Sequence, residues 1–343
     1  MQKKKEMLML TDGNSDNASA RIRALQYIPF FEAKGYSVTH IPRVPQRPSN
    51  LVSKYTIFPV LKRWYSLKMF LTIVLGKWDL VFIQRIFISE YLLNRLKNRS
   101  IPIVYDFDDA IYINQIRPEN REKTANMVRY ASKVIVSTEY LNEFCFSCGQ
   151  KPEIIPSPVE TDRIRPSEKN QDQIVTIGWI GSPWTSGFLE LIEKPLQRLA
   201  EKHTFRFLTI GARSDYKILG INHIAKPWVF EDENENIGLM DIGLMPLPDT
   251  DWTRMKGGYK LLQYMSAGIP CVASPVGINQ TIVKVGQNGF LASSEEEWYL
   301  TLEKLICDRE LRIRLGANGR RDAIELYSRE VCFGKLLKII QEL

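Results

Sequence analysis

Histidine is scarce in this 343-residue chain, with three in all, and the five cysteines fall at irregular spacings. Cys145-x-x-Cys148 has neither a second pair nor histidines placed to complete it, which excludes the common zinc frameworks. An odd cysteine count without regular spacing argues for reduced thiols in the cytoplasm rather than a disulfide-stapled secreted domain. Long apolar runs are missing too. The longest apolar window, Met69 to Gly76, is far below the ~20 residues that a membrane span needs. Lys3-Lys4-Lys5 is followed by MLMLTDG, whose apolar run is too short for a signal peptide. No short repeat or low-complexity run is present. These absences leave a soluble cytoplasmic protein, in contact with the inner face of a membrane only as a peripheral one.

What is there suffices for two domains. At 343 residues and 44% hydrophobic, the chain can bury sizeable cores. Its net charge of +7 is uneven: residues 1–165 carry 25 Lys/Arg against 16 Asp/Glu, and residues 166–343 carry 21 against 23. A basic first half implies an anionic surface partner, with membrane phospholipid, nucleic acid and a phosphorylated acceptor as candidates. Between Pro42 and Lys77 basic residues interleave with aromatics, among them Arg47, Lys54, Tyr55, Lys62, Arg63, Trp64 and Lys68. Apolar positions 57, 58, 61, 64, 65 and 69 fit one helical face, which suits either an interfacial helix or one packed on its own domain.

Short apolar runs alternate with helical patterns along the chain. Met7–Leu10, Tyr36–Ile41, Asp79–Gln84, Ile101–Tyr105, Lys133–Ser137 and Glu153–Pro156 read as strands of a doubly wound sheet. Ser19 is placed to cap a helix from Ala20 to Lys34, stopped by Gly35. The Pro-rich run 156–166 and the polar residues 167–173 read as a linker. Ile174–Ile180, Phe205–Ile210, Ile242–Leu247 and Cys271–Ser274 then begin a second set of strands. A capping box at Ser293 or Ser294 with Glu296 and Glu297, Asp308, and Ser328 start three closing helices. The boundaries drawn are 1–163, 164–325 and a last helix at 326–343.

The richest stretch runs from Asp241 to Ala292. After the strand Ile242–Leu247 comes a polar loop, then Gly257-Gly258 and a helix from Tyr259 to Ala267 stopped by Gly268 and Pro270. Arg254, Lys256 and Lys260 stand at the helix start, where cations oppose the macrodipole by up to about 1 kcal/mol each. An anion there would reverse that sign, since free N–H groups, the dipole and the cations all favour it. Glycines 257 and 258 allow close backbone approach, so the segment reads as a phosphate site, against the plainer reading of a solvated basic turn. Were helical geometry to reach back to 256, Lys256, Lys260 and Gln263 would share one face. Gly181-Ser182-Pro183-Trp184-Thr185, after a strand, is a second turn of phosphate type, and Gly211 ends the next strand. A third cluster, Asp106-Phe107-Asp108-Asp109, follows an apolar strand. It suits contact with a hydroxylated ligand, capping of the next turn, or, as a DxD sequence, a divalent metal.

Gln263-Tyr264-Met265-Ser266-Ala267-Gly268-Ile269-Pro270-Cys271-Val272-Ala273 resembles the donor-binding core of retaining glycosyltransferases of family 4. Members carry a Glu-x7-Glu pair here; its second position is Gln263 and its first is Met255, while Lys256 and Lys260 resemble the arrangement of a subgroup. The resemblance implies a GT-B fold, α/β with two Rossmann-like doubly wound domains facing a central cleft. It implies transfer of a sugar from a nucleoside diphosphate sugar to a glycan, lipid-linked or other hydroxyl acceptor, in cell-envelope polysaccharide or glycoconjugate synthesis. No cofactor, metal or nucleic acid is expected. Carried over by position, Lys256, Lys260, Gly257 and Gly258 stabilise the departing diphosphate, and Gln263 holds the ribose. Gly13, Gly181, Ser182, Thr185 and Gly211 line the donor, and Trp228 flanks the base. Arg21, Arg23 and Asp106 fall on the acceptor side, with Asp108 or Asp109 orienting a hydroxyl or accepting its proton. A nucleotide-sugar epimerase and a non-catalytic membrane-surface scaffold are the alternatives.

Overall fold

The computed structural model describes residues 4–43, 57–113, 117–168 and 174–343. Arg47, Lys54 and Tyr55 of the basic stretch, and the linker's residues 169–173, lie outside the described residues. The chain divides into two compact units, one of Met1–Pro158 with Cys332–Leu343, the other of Val159–Val331.

In the first unit six strands form one parallel sheet: Lys5–Thr11 (β1), Tyr36–Pro42 (β2), Leu80–Gln84 (β3), Ile103–Phe107 (β4), Lys133–Val136 (β5) and Glu153–Ile154 (β6). Their order is β2-β1-β3-β4-β5-β6. β3 and β4 are buried along their whole length, because a parallel sheet is covered on both faces and its strands become continuous apolar runs. The core gathers Met7, Met9, Phe31, Phe82, Val104 and Ile135, and Phe333, Leu336, Ile339 and Ile340 of the last helix, Arg329–Gln341, pack into it. Phe333 meets Phe31 edge-on at 4.9 Å between ring centres.

The long first helix expected from Ala20 to Lys34 is broken into Ala18–Arg23, a 3₁₀ turn Leu25–Tyr27 and Ile28–Ala33. Pro29 explains the interruption, since it has no N–H and its ring would collide with the carbonyl four residues earlier. The cap is also different. Asn17, not Ser19, accepts the Ala20 N–H, at 3.0 Å, and Ser19 is released for another partner.

The second unit repeats the architecture with Thr176–Ile180 (β7), Arg206–Ile210 (β8), Asn222–Lys226 (β9), Ile242–Met245 (β10), Cys271–Ala273 (β11) and Gly289–Leu291 (β12). The order β12-β11-β10-β7-β8-β9 puts the reversal of winding between β7 and β10, where ligands of open α/β sheets gather. β9 and β12 were not expected. β9 is an edge strand exposed along much of its length, without an apolar run to betray it, and β12 has three residues. The polar loop after β10 contains one helical turn, Asp251–Arg254, fixed by a Thr250–Thr253 capping box.

Gly316, in the helix Arg309–Tyr327, touches the turn after Tyr259–Ser266. A Cβ there would sit 2.0 Å from the Gly268 carbonyl oxygen. Gly→Ala inside a helix ordinarily gains up to about 1 kcal/mol, but here backbone faces backbone and neither can move aside. Gly316→Ala is expected to lower stability by about 1–3 kcal/mol, the cost of overpacking. Urea denaturation followed by tryptophan fluorescence checks the sign.

Candidate functional site

In the first unit the carboxyl ends of β1, β3 and β4 hold a polar network. Asp106 lies at the end of β4 and pairs with Arg23 at 2.5 Å, with side chains only 3% and 2% exposed. Arg23 also donates to the Ile155 carbonyl at 2.7 Å. Burial pushes the Asp106 carboxyl above its ordinary value, against the pull of the Arg23 charge. Expected as acceptor contacts, both are instead committed to each other and shut off from solvent. Arg21 is likewise buried and donates to the Ser15 carbonyl at 2.7 Å. Gly13, also buried, accepts the Thr11 hydroxyl through its carbonyl at 2.7 Å. That spends the Thr11 proton, so His40 Nε2, 2.7 Å away, is the donor to Thr11. Burial, with Lys68 nearby, pulls His40 down to about 4, so the ring is neutral at pH 7.

Asp108 accepts from Ser19 Oγ at 2.7 Å and from Arg85 at 3.3 Å, and Gln84 Nε2 donates to Ser19 at 2.8 Å. Asp109 accepts the N–H of the next residue, Ala110, at 3.0 Å, which is not the geometry of a helix cap, and lies 4.0 Å from Arg85. Arg85 is the residue that sequence reasoning missed. It follows β3 directly with φ of +61°, a left-handed conformation that a residue with a side chain adopts at a cost of ~1 kcal/mol or more. Burial works against its charge, but Asp108, Asp109 and Asp12 outweigh this and raise its pKa. The adjacent carboxylates are thus held by arginines. Among the described residues no group of three or more His, Cys, Asp or Glu is placed to hold a metal.

In the second unit Lys260 is the centre. It is on the first turn of Tyr259–Ser266, its ammonium 4.4 Å over the Trp179 ring. A Cβ built on Gly181 would lie 2.9 Å from Lys260 Nζ, and one on Gly211 would lie 2.3 Å from the Gly181 carbonyl and 3.0 Å from Trp228 Cβ. Gly181, Gly211, Trp228 and Lys260 are therefore brought together beside the winding reversal. Gly181 and Gly211 are needed there because any side chain would fill that space. Burial, and then the Lys256 charge, pulls Lys260 down to about 7. No carboxylate is paired with it among the described residues.

Three expectations about this helix change. Gly258 has φ of +66°, so helical geometry stops there and Lys256 does not share the helix face; its ammonium lies 3.6 Å over Trp252. Arg254 is engaged by Asp249 at 2.6 Å and by Asp251. Gln263, expected to meet a ribose, is 3% exposed and donates to Glu233 Oε1 at 2.9 Å. Gly257, half-buried, directly precedes Gly258, and Ser182 and Thr185 bond each other at 3.3 Å on the exposed turn after β7.

Glu233 is a second missed residue. It is 2% exposed and receives Gln263 and, at 3.0 Å, Trp228 Nε1 on one oxygen, with Arg163 at 2.5 Å on the other. Nothing marks it among Glu231, Asp232 and Glu235; only burial does.

Residues 171–308 match the family model of glycosyl transferases group 1. No curated protein matches the sequence. Among solved structures, sucrose-phosphate synthase from Thermosynechococcus elongatus superposes with TM-score 0.74 at 13% identity, covering 99% of each chain. A glycosyltransferase from Rickettsia africae gives 0.71 at 13%, covering 98% of each. Anabaena Alr3699/HepE, solved with UDP, gives 0.68 at 13%, covering 98% of this chain and 100% of that one. Two six-stranded parallel sheets with their helices match GT-B structures, so the chain has the GT-B fold, and its second unit carries the stretch that matches glycosyl transferases group 1.

Glu233→Ala would leave a guanidinium, an indole N–H and an amide without their acceptor. A loss of about 3 kcal/mol in urea denaturation is expected, the scale for removing one partner of a buried pair. Glu233→Gln, which keeps the shape and some acceptor capacity, is expected to lose less.

Proposed function

We propose that the enzyme takes a sugar from a nucleoside diphosphate donor bound in the second unit and transfers it, with retention, to a hydroxyl of a glycan, lipid-linked or other acceptor, as a member of family 4. Cell-envelope polysaccharide or glycoconjugate synthesis is the setting that suits such an acceptor. The observation that carries the reading is Lys260: an ammonium at a helix start, beside Lys256, against Gly181, with its charge disfavoured and no carboxylate paired to it among the described residues. A diphosphate supplies the missing anion, and a helix start is where the macrodipole favours negative charge. The UDP in the Anabaena structure favours uridine as the base.

In this reading Lys256 and Lys260 stabilise the charge that develops on the departing diphosphate, the work a metal does elsewhere. The acceptor hydroxyl attacks from the face the leaving group departs, so no protein nucleophile is required. Asp108 is the better placed to orient that hydroxyl, because Ser19 and Arg85 fix it while its side chain stays 19% exposed.

Lys256→Ala is expected to lower turnover of a UDP-sugar on the order of 10²-fold, by analogy with removal of one preorganised charge-stabilising group. An unchanged rate removes Lys256 from the site. Thermal-shift screening against UDP, GDP and ADP, with and without Mg²⁺, tests the donor class itself. A ligand at about 100 times its Kd adds about 2.7 kcal/mol.

Lys260 also sets a pH dependence. In the free protein it loses its proton near pH 7, and a bound diphosphate moves it back toward a lysine's ordinary 10.5. Binding therefore takes up a proton, and affinity is expected to fall above pH 7 by up to about tenfold per pH unit. Without ligand the sign is opposite. The unfolded lysine holds its proton longer than the folded one, so between about 7 and 10.5 this group makes the fold more stable as pH rises. Lys260→Met should flatten both slopes, read by calorimetry of UDP binding and by melting across that range.

A further inference from the structure

The helix Ile57–Leu75 has two apolar stripes, and only one of them is used. Phe58, Tyr65, Met69 and Ile73 recur at helical spacing and turn toward the first unit, with Ile73 fully buried. Ile57, Val60, Trp64, Leu67, Leu71 and Leu75 recur at three- and four-residue steps on another side and are 43–73% exposed. Of the single face expected from positions 57, 58, 61, 64, 65 and 69, positions 58, 65 and 69 fall on the inner stripe, 57 and 64 on the outer, and Leu61 between them. Among the described residues nothing covers the outer stripe, which runs ~28 Å along 19 residues. A bare apolar stripe of that length on a soluble surface marks a contact with something else.

The charges say with what. The sequence IFPVLKRWYSLKMFLTIVL contains Lys62, Arg63 and Lys68 and no Asp or Glu. A second copy seated symmetrically on this helix would bring those cations against themselves. An anionic lipid surface instead takes apolar side chains into the headgroup boundary and attracts the cations around them. Trp64, 53% exposed with the Lys68 ammonium 5.4 Å from its ring, has the amphipathic character favoured at that depth. We propose that Ile57–Leu75 is a docking helix that lies in the plane of an anionic membrane and holds the enzyme there. The proposal goes beyond the donor reading and stands without it.

The test is co-sedimentation of the full chain with vesicles of phosphatidylglycerol and phosphatidylcholine, against vesicles of phosphatidylcholine alone. The wild type should bind the anionic vesicles, more weakly as salt rises. The triple variant Trp64→Ser, Leu67→Ser, Leu71→Ser should lose at least ~10-fold in partitioning. Arg63→Gln with Lys68→Gln, the two cations that flank the outer stripe, should lose about fivefold per charge at low salt. All replaced residues are on the surface, so unchanged melting curves confirm folding, and unchanged UDP affinity in solution separates this outcome from any failure of the donor site. Failure of the wild type to bind anionic vesicles overturns the proposal, as does equal binding by the triple variant. A wild-type dimer that the triple variant dissociates overturns it too, because the stripe is then a self-interface.

Discussion

A guanidinium and a carboxylate taken out of water must satisfy each other, and Arg23 and Asp106 do so at 2% and 3% exposure. Much of the first unit's polar geometry follows from this. Arg23 pins the short helix Ala18–Arg23 over the end of β4 and, through the Ile155 carbonyl, over the exit of β6. Asp108, two residues on, keeps to the same side and meets Ser19 one turn before Arg23 on that helix, while Asp109 lies 4.0 Å from Arg85. Three carboxylates that look alike in sequence acquire distinct roles: a buried anchor, a hydrogen-bonded and partly open acceptor, and a group folded back on its own backbone near Arg85.

The second unit applies the same chemistry with opposite outcomes at two places. Glu233 is saturated by Arg163, Trp228 and Gln263, and it locks β9's exit to the helix Tyr259–Ser266. Lys260, on that same helix, receives no carboxylate among the described residues and has its charge disfavoured by its surroundings. A buried network that closes on itself reads as architecture. A cation left open beside a side-chain-free position reads as a place for an anion.

The helix Ile57–Leu75 shows how exposure separates readings that periodicity merges. Its apolar residues satisfy a helical pattern from more than one direction, so the pattern alone accommodates both packing and interfacial contact. The fold assigns Phe58, Tyr65, Met69 and Ile73 to the first and leaves the other side bare.

The amino-acid sequence by itself determined the architecture class. Buried parallel strands must be apolar along their whole length, so β1, β3, β4, β7, β8 and β10 are visible as runs, and Gly or Pro marks several of their ends. Local hydrogen-bonding chemistry likewise made the Ser294–Glu297 capping box and the Asp308 cap legible. What only the tertiary structure decided is which polar groups are spent. Arg23 and Asp106 are 83 positions apart, and Gln263 and Glu233 are 30 apart. No local pattern encodes such pairs, because burial is conferred by neighbours distant in the chain. The left-handed turn at Arg85, the exposed edge strand β9, and the lysine kept without a carboxylate at Gly181 have the same origin.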